Sequence, residues 1–403
     1  MTTRRSILQS GAAAAAFLAL GARASRAANA PGITDAEIKI GQTMSYSGPL
    51  SAYGVIGKTE AAYFKMINEQ GGVNGRKLNL VSLDDAYSPP KTVEQARRLI
   101  EQDQVAFMYN MLGTGPGLAV RQYLNENKIP QLFMASGASA FDDPEHFPWT
   151  TGFQPNYQIE GRIFAKYIQK NKPDAKIGIL FQNDGFGKDY LTGVKAVLGA
   201  DYAKLVVKEA SYETSEPTVD SQVVTLQGSG ADVFYIVATP KFAAQAIRKA
   251  ADLGWNALRF LTNVSVSVKS VMKPAGLEKS KGVISLNYGK DPSDPRWKDD
   301  PGMKEWTDFV GKYLSANDFT DSNAFYGFGV AKTMVHVLKQ CGDDLSRENV
   351  MRQATTIHDL ELPTLLPGIK VNTSPTNFSP LRQMQLITFD GESWQLSGDL
   401  LSG

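Results

Sequence analysis

The sequence feature that most constrains the fold is a unit of strand, loop and helix over residues 37–75. Similar units follow it along the chain. Ile38 and Ile40 alternate with charged neighbours, which is the pattern of a half-buried strand. A Ser-Gly-Pro break at residues 47–49 leads into an apolar stripe with helical spacing that ends at a Gly-Gly pair, residues 71–72. Such a unit places its loop and the start of its helix at the carboxyl edge of a sheet, where open α/β sheets bind ligands and helix N-termini favour anions.

The same alternation occurs in two blocks, residues 31–152 and 153–289. An irregular passage follows the loop at 136–139, and the pattern resumes with a strand at Lys176 to Phe181. Repeated alternation of this kind predicts parallel sheets with helices on both faces. The last third is different, because it reads as helices followed by a closing hairpin. These elements are expected at Trp306 to Leu314, Ser322 to Gln340, Ser346 to Ala354 and residues 383–394.

We therefore predict an α/β protein with two Rossmann-like lobes, each built on a parallel sheet. Residues 31–152 and 290–380 are assigned to the first lobe, and residues 153–289 and 381–403 to the second. The helical tail is expected to return to one block and the hairpin to join the other, so the chain would cross between the lobes three times. A cleft between lobes joined in this way can open and close as a hinge.

The first thirty residues read as an export signal. Paired arginines, Arg4 and Arg5, precede a short apolar run from Gly11 to Leu20, and Ala28-Asn29-Ala30 fits an A-x-A cleavage site. The apolar run is too short to span a bilayer. The paired arginines favour the twin-arginine route, which predicts a periplasmic protein with a signal peptide at 1–30. A disordered or amphipathic N-terminal arm is the alternative.

Charge and cysteine content exclude other classes. The chain carries 42 Lys and Arg against 41 Asp and Glu. Residues 1–30 hold four arginines and no acid, so the remainder has 38 basic and 41 acidic residues, a net charge of −3. Nucleic-acid binding needs a basic face, so we expect no nucleic-acid partner. Cys341 is the only cysteine, which rules out an intramolecular disulfide and suggests a core or helix-end position.

Catalytic and metal-binding patterns are weak. The three histidines, His146, His336 and His358, lack the spacing of a zinc motif, and no G-x-S-x-G turn occurs. The acidic turn around His146 is interpreted as a solvated loop, with a metal site as the alternative. We expect a non-enzymatic protein without metal or cofactor. An exported hydrolase and a sensory module are the rival classes.

Several short segments carry a family resemblance through their joint order and spacing. They are Ser-Gly-Pro at 47–49, Tyr-Gly at 53–54, Ile-Asn at 67–68, Gly-Gly-Val-Asn-Gly at 71–75, Asp-Asp at 84–85, Asn-Asp-Gly-Phe-Gly at 183–187 and Phe-Asp-Gly at 389–391. Over essentially the whole chain after residue 30, the sequence resembles the branched-chain amino acid ABC-transporter substrate-binding proteins of the type I periplasmic binding fold. The resemblance implies a monomer that captures a small molecule between two lobes and delivers it to a membrane permease.

The resemblance also implies that two first-lobe loops hold a ligand carboxylate with backbone N–H groups and hydroxyls. Both loops precede helices, so amides and the helix dipole would converge on an anion. Gly113 or Thr114 falls where a serine is usual, and Ser139 supplies the second hydroxyl. The contacts predicted in these loops are Met111, Leu112, Gly113, Thr114, Ser136, Gly137 and Ser139.

The second lobe departs from the amino-acid-binding members of this family, in which an acid holds the ligand ammonium. The corresponding stretch after the strand at 260–261 reads Thr-Asn-Val-Ser, residues 262–265. The stretch after the lobe crossing, residues 153–157, also contains no acid. A buried ammonium without a carboxylate would be poorly compensated. We therefore predict a ligand that is not an α-amino acid, with a branched-chain amino acid as the alternative.

The other predicted cleft residues are largely aromatic or apolar. An aromatic or hydrophobic carboxylic acid, such as a benzoate or a phenylpropanoid, suits such walls. For each aromatic residue, a place in the protein core is the alternative. These residues are Tyr46, Ser47, Tyr53, Phe153, Asn156, Phe186, Thr239 and Val264.

Overall fold

A computed structural model describes residues 30–402 of the chain. The predicted signal peptide lies outside the described residues except for Ala30. Two separate sheets form, and helices connect their strands.

The first sheet has the strand order β2-β1-β3-β4-β5, and each neighbouring pair in it is parallel. Strands β1 and β2 pair in register over eight residues each, with Ile38 opposite Leu78 and Ile40 opposite Leu80. Both isoleucines are fully buried, as the alternation predicts. The strands are β1 (Glu37–Met44), β2 (Lys77–Asp84), β3 (Phe107–Tyr109), β4 (Gln131–Met134) and β5 (Thr150–Gly152).

The second sheet has the order β12-β11-β10-β9-β8-β6-β7. Its strands are parallel from β7 to β10, while β11 is antiparallel to both β10 and β12. The predicted closing hairpin is therefore confirmed, and it extends this sheet. The strands are β6 (Ile177–Gln182), β7 (Val206–Tyr212), β8 (Val233–Val237), β9 (Leu258–Leu261), β10 (Ile284–Asn287), β11 (Gln383–Phe389) and β12 (Trp394–Ser402).

The helices between the strands follow the predicted alternation, and three more form in the last third of the chain. Helical turns of three or four residues also occur at Tyr202–Leu205, Lys273–Ala275 and Leu277–Ser280. The longer helices are α1 (Gly54–Glu69), α2 (Pro89–Arg97), α3 (Thr114–Glu126), α4 (Tyr157–Asn171), α5 (Gly185–Leu198), α6 (Asp220–Gly228), α7 (Pro240–Asp252), α8 (Pro301–Tyr313), α9 (Ser322–Gln340) and α10 (Arg347–Ala354).

One expectation about the fold was wrong: the passage before residue 176 is not irregular, because it contains α4. Asn156 caps this helix by accepting a hydrogen bond from the Gln158 amide at 2.8 Å. Ile163, Phe164 and Ile168 are buried and share one face at helical spacing. The cap and the apolar stripe were both visible in the sequence, but Pro and polar residues around the lobe crossing concealed the start of the helix.

The helices of the last third pack against the helices and strands of the first sheet. Trp306 of α8 is fully buried, and its ring lies 5.4 Å from that of Phe328 on α9. Phe328 in turn meets Tyr63 of α1 edge-to-face at 5.2 Å. Truncating an aromatic side chain in such a core costs about 3–5 kcal/mol. This packing ties α8 and α9 to the first sheet and brings the N-terminal end of α9 to the interlobe cleft.

The two lobes contact each other along a continuous apolar cluster. Met108 and Val120 of the first lobe belong to the same buried cluster as Tyr190 and Tyr235 of the second. Within residues 30–402, the chain passes from the first sheet to the second after β5, leaves the second sheet after β10 for the helices that pack on the first, and returns to it after α10. Cys341 is buried at the C-terminal end of α9, in agreement with the sequence interpretation.

Candidate functional site

A cleft lies where the carboxyl ends of the strands of the two sheets face each other. Loops after β1, β3 and β4 line its first-lobe side, and loops after β6, β8, β9 and β10 line its second-lobe side. This is the edge at which parallel α/β sheets bind ligands. The cleft has an accessible volume of about 90 Å³.

Aromatic side chains form much of the lining. Four of them lie on helices, Tyr157 on α4, Phe186 on α5, and Phe325 and Tyr326 on α9. Aliphatic residues, including Leu50, Ile56 and Val266, fill the spaces between the rings. Such a surface suits a ligand with an apolar body. The aromatic lining residues are Tyr53, Tyr87, Phe153, Tyr157, Phe186, Tyr288, Phe325 and Tyr326.

Eight of the fifteen residues predicted from the sequence to contact ligand line this cleft. Their backbones belong to segments far apart in the chain, and the structure brings them together. Leu112, Gly113 and Thr114 come from one of the two predicted carboxylate loops. The eight are Tyr53, Leu112, Gly113, Thr114, Phe153, Phe186, Thr239 and Val264.

Four of the other seven lie outside the lining and make structural contacts. The Tyr46 hydroxyl is 2.6 Å from Ser82 Oγ, and Ser47 donates to Asp84 at 2.5 Å. Met111 is fully buried in the apolar cluster shared by the lobes. Asn156 is the cap of α4.

The remaining three belong to the second predicted carboxylate loop, residues 136–139. Ser136 and Gly137 line a much smaller pocket beside the cleft, and Ser136 Oγ lies 2.8 Å from Thr114 Oγ1. Ser139 uses both of its donors on Asp189 of α5, its N–H at 2.6 Å and its hydroxyl at 2.8 Å. The loop therefore supports the first loop and bonds to the second lobe in this structure.

Sequence reasoning missed lining residues on two helices. Tyr157 opens α4, the helix that was not predicted, and its ring stacks on Tyr190 at 4.9 Å. Asn323 and Tyr326 lie on α9, which was predicted only as part of the helical tail. The signal for α9 was Asp321, which caps the helix through the Asn323 amide at 3.0 Å. Nothing local in the sequence indicates that this helix begins at the cleft.

The first-lobe side of the cleft presents the start of α3. Gly113 precedes this helix with φ of 96°, and a Cβ at this position would collide with the Tyr87 ring. Glycine is therefore required for both the backbone conformation and the space. No side chain in residues 30–402 caps the helix. The first-turn amides of an uncapped helix carry partial positive charge and are suited to an anion.

The second-lobe side carries neutral polar groups. Thr239, which precedes α7, donates its hydroxyl to Gln182 at 3.1 Å. Asn263, directly after β9, is buried, and its backbone amide donates to the carboxylate of Glu160 at 2.8 Å. Glu160 itself is fully buried one layer behind the lining and also accepts a hydrogen bond from the Tyr190 hydroxyl.

Burial raises the pKa of Glu160 to about 8, although the hydrogen bonds from Tyr190 and Asn263 oppose that change. Glu160 is therefore mainly protonated at pH 7 and supplies little negative charge to the cleft. Asp184, which caps α5 from near the cleft, accepts hydrogen bonds from Phe186 and Gly187, and burial raises its pKa as well.

The lining itself is almost free of charge. Among the described residues, no Asp or Glu lines the cleft, and Lys290 is its one formally charged side chain. Lys290 Nζ lies 2.8 Å from each carboxylate oxygen of Asp300, so its charge is already balanced. The lining itself therefore offers no carboxylate to a ligand ammonium.

Several contacts hold the lobes together around the cleft. The Tyr53 hydroxyl donates to the Val264 carbonyl across the cleft at 2.8 Å. Lys269 of the second lobe pairs with Asp318 and Asp321 beside the start of α9, at 3.1 and 3.2 Å. Together with the bond from Ser139 to Asp189, these contacts define a closed arrangement of the lobes.

Two parallel-sheet lobes closed over a lined cleft define a two-lobed ligand-binding protein. Comparison with known families agrees, because the family model described as "Periplasmic binding protein" matches residues 37–393. The chain belongs to this family, whose members are binding proteins and whose name implies a periplasmic location. Within residues 30–402, no helix has the length and apolar character to cross a membrane.

Similar proteins include the Leu/Ile/Val-binding protein homolog 1 of Brucella suis, 26% identical over 353 residues, covering 85% of this chain and 86% of that one. Solved structures confirm the fold. A branched chain amino acid ABC transporter protein from Thermus thermophilus, with bound valine, has TM-score 0.82 at 15% identity, covering 92% of this chain and 98% of that one. A fatty acid ABC transporter substrate-binding protein from Thermomonospora curvata has TM-score 0.76 at 21% identity, covering 93% and 95%.

Proposed function

We propose that this protein is the periplasmic solute-binding component of an ABC importer and that it captures a small aromatic carboxylic acid in the interlobe cleft. The observation that carries the proposal is the lining, which is rich in aromatic side chains and, over residues 30–402, contains no Asp or Glu. An α-amino acid would place an ammonium in a site without a carboxylate in reach, which is unfavourable in a shielded cleft. An aromatic acid needs only an anion site and apolar walls.

The anion site in this proposal is the start of α3. Gly113 and Thr114 line the cleft, and no side chain among residues 30–402 caps the first turn of α3, so the main-chain N–H groups of Thr114 and Gly115 remain for an anion. The aromatic side chains around Phe153, Tyr157 and Phe186 would enclose the apolar body of the acid.

Closure of the lobes is the proposed capture step. Tyr53, Thr114 and Phe153 approach the ligand from the first-lobe side and the lobe crossing, while Phe186, Thr239 and Val264 approach it from the second. A ligand that contacts both sides stabilises the closed state by its differential contacts with the two states. We propose that the closed form, as a monomer, then delivers the acid to the membrane permease of the importer.

A branched-chain amino acid is the second candidate, and the names of similar proteins favour it. The Brucella suis relative is called a Leu/Ile/Val-binding protein homolog, and the Thermus thermophilus structure contains valine. This candidate requires an acid to reach the ligand ammonium, and Glu160 behind Asn263 would have to ionise to supply it.

A thermal-shift screen of the purified protein separates the candidates. One panel holds leucine, isoleucine, valine and other amino acids, and the other holds benzoate, hydroxybenzoates, cinnamates and aliphatic acids. A ligand that binds only the folded state raises the melting temperature. We expect stabilisation by aromatic acids alone. Stabilisation by amino acids alone would overturn the proposal in favour of the second candidate.

A further inference from the structure

Two shielded side-chain nitrogen atoms in the cleft lining have no protein partner. Of the buried side-chain N and O atoms that lack a hydrogen bond within residues 30–402, those in the lining are Asn263 Nδ2 and Asn323 Nδ2. Asn263 as a whole is 6% exposed. A shielded donor without an acceptor costs free energy. An acceptor on a bound ligand would remove that cost.

Some other polar atoms of the lining bond within the protein. Asn287 Oδ1 accepts from the Tyr288 amide at 2.9 Å, and Ser267 Oγ accepts from the Ser270 amide at 3.2 Å. The Thr239 hydroxyl donates to Gln182. Asn263 and Asn323 differ in that their side-chain nitrogens are shielded and have no partner among the described residues.

Both asparagines are held by their backbones on ordered elements, one in each lobe. The Asn263 amide donates to Glu160 directly after β9, and the Asn323 amide donates to Asp321 in the first turn of α9. The segments that carry them face each other, because Lys269 bridges to Asp321 at 3.2 Å. The two asparagines therefore lie on segments of opposite lobes that meet beside the cleft.

The charge of the lining decides which acceptor fits. A second carboxylate would need a free cation, but in the described part of the chain Lys290 is the only cation in the lining, and Asp300 already neutralises it. An ammonium would meet N–H donors and no acid. An uncharged oxygen, such as a hydroxyl, carbonyl or ether, is compatible with amide donors on both sides.

We propose that Asn263 and Asn323 recognise an uncharged oxygen acceptor on the ligand, so that the preferred ligands are aromatic acids carrying a hydroxyl, carbonyl or methoxy group in addition to the carboxylate. This inference rests on the proposed function and narrows its ligand class. An acceptor bonded to both asparagines also links the lobes, so the same group that gives specificity favours closure.

Isothermal titration with matched acids tests this inference. The probes are benzoate, cinnamate, their hydroxy and methoxy derivatives at each ring position, and terephthalate as a dicarboxylate. The variants are Asn263→Leu and Asn323→Leu, which keep the branching of the side chain and the backbone hydrogen bonds. Asn171→Leu is the control, because Asn171 is exposed at the end of α4 and donates to the Tyr167 carbonyl. Melting temperatures establish that each variant is folded.

We expect at least one oxygen-bearing acid to bind wild type about tenfold more tightly than its parent acid, which is the effect typical of a hydrogen bond to a shielded donor. Each of the two cleft variants should remove most of that preference while leaving the affinity for the parent acid within about threefold. The Asn171→Leu control should retain the full preference.

Four results would overturn the inference. If the parent acids bind but no oxygen-bearing derivative binds more tightly, or if the preference survives in both cleft variants, the role of the asparagines is wrong while the proposed function stands. If terephthalate binds most tightly, the requirement for an uncharged acceptor is wrong. If wild type binds none of the acids, the proposed function itself fails, and this inference fails with it.

Discussion

On the first-lobe side of the cleft the hydroxyls are bonded within the protein, whereas on the second-lobe side Asn263 keeps a shielded nitrogen without a partner among the described residues. Thr114 bonds to Ser136, and Ser139 donates to Asp189. The first-lobe side leaves available the main chain at the uncapped start of α3 and, on α9, the side-chain nitrogen of Asn323. The second-lobe side leaves available a side-chain amide.

The difference separates two tasks. Main-chain N–H groups at a helix start recognise negative charge, and no side-chain substitution removes them. A side-chain amide distinguishes one neutral group from another, and a single substitution changes it. We infer that the first-lobe side recognises the carboxylate that all ligands would share, while Asn263 and its neighbours select among them. The variants below test this contrast.

The largest expected effect is on the first-lobe side. Thr114→Asp would place a carboxylate at the start of α3, and two like charges about 4 Å apart repel by about 4 kcal/mol at an effective dielectric constant of 20. We expect affinity for 4-hydroxybenzoate, measured by titration calorimetry, to fall by roughly a hundredfold or more. Thr114→Asn has the same shape as Thr114→Asp but adds no charge, so it should lose much less affinity. Equal losses in the two variants would contradict a site that recognises charge.

The second prediction concerns the acid beneath the second-lobe side. The pKa of Glu160 is raised to about 8 by burial. Between about pH 4.5 and pH 8 the folded state therefore holds a proton that the unfolded state has lost, so the free energy of unfolding falls as pH rises through this window. In wild type, this effect should lower the free energy of unfolding by on the order of 3 kcal/mol between pH 5 and pH 8. Glu160→Gln mimics the protonated form, so we expect that decrease to be absent from the variant.

Urea unfolding at several pH values measures this difference. Glu392→Gln is the control, because Glu392 is exposed on the turn between β11 and β12. The control should follow the pH dependence of wild type. A Glu160→Gln curve parallel to that of wild type would show that Glu160 ionises normally in the folded protein, and that the second-lobe side is more acidic than we infer.

The third prediction converts the second-lobe side into a charged one. Asn263→Asp introduces the acid that the lining lacks, with little change of shape. We expect benzoate to bind about tenfold more weakly, because a carboxylate now shares the shielded cleft. Leucine should begin to raise the melting temperature, because its ammonium gains a partner. Asn171→Asp is the matched control and should change neither the affinity for benzoate nor the effect of leucine on the melting temperature. Unchanged benzoate affinity in Asn263→Asp would show that Asn263 does not contact the ligand.

The smallest effect is expected from Lys269, which links the lobes at the rim. Its ammonium pairs with Asp318 and Asp321, and the Lys269 side chain is 35% exposed, so the contribution is reduced by solvent. We expect Lys269→Met to weaken 4-hydroxybenzoate binding by about threefold to fivefold, mainly because the ligand dissociates faster. Stopped-flow kinetics measure the dissociation rate. Lys304→Met, which breaks an exposed pair within α8, should have no effect. High salt should reduce the difference between wild type and Lys269→Met.

The alternation of strands and helices, the closing hairpin and the return of the helical tail were all predictable. Strand alternation, helical stripes and loop residues are local patterns that span a few positions, so they can be recognised in the sequence without a structure. Loop residues at the ends of β3, β8 and β9 were also correctly expected near the cleft, because the carboxyl ends of parallel strands meet at one edge. The helix α4 was not predicted, because the residues of the lobe crossing interrupt the alternation of strands and helices just before this helix begins.

The composition of the cleft wall was less predictable. Tyr46 and Phe153 looked alike as aromatic candidates, yet Tyr46 bonds to Ser82 while Phe153 lines the cleft. Asn323 and Tyr326 could be placed on a helix, but their place at the cleft depends on how α9 packs against α1. Such packing joins residues far apart in the chain, and no local pattern encodes it.

By itself, the sequence determined the fold class, the order of its elements and the absence of an acid at the positions after β9 and after the lobe crossing. Only the tertiary structure decided which polar groups remain for a ligand. Ser139 meets Asp189 across 50 residues, and the Asn263 amide meets Glu160 across 103. A hydrogen bond depends on distance in space, so whether a donor is already bonded or still available is settled when the lobes pack.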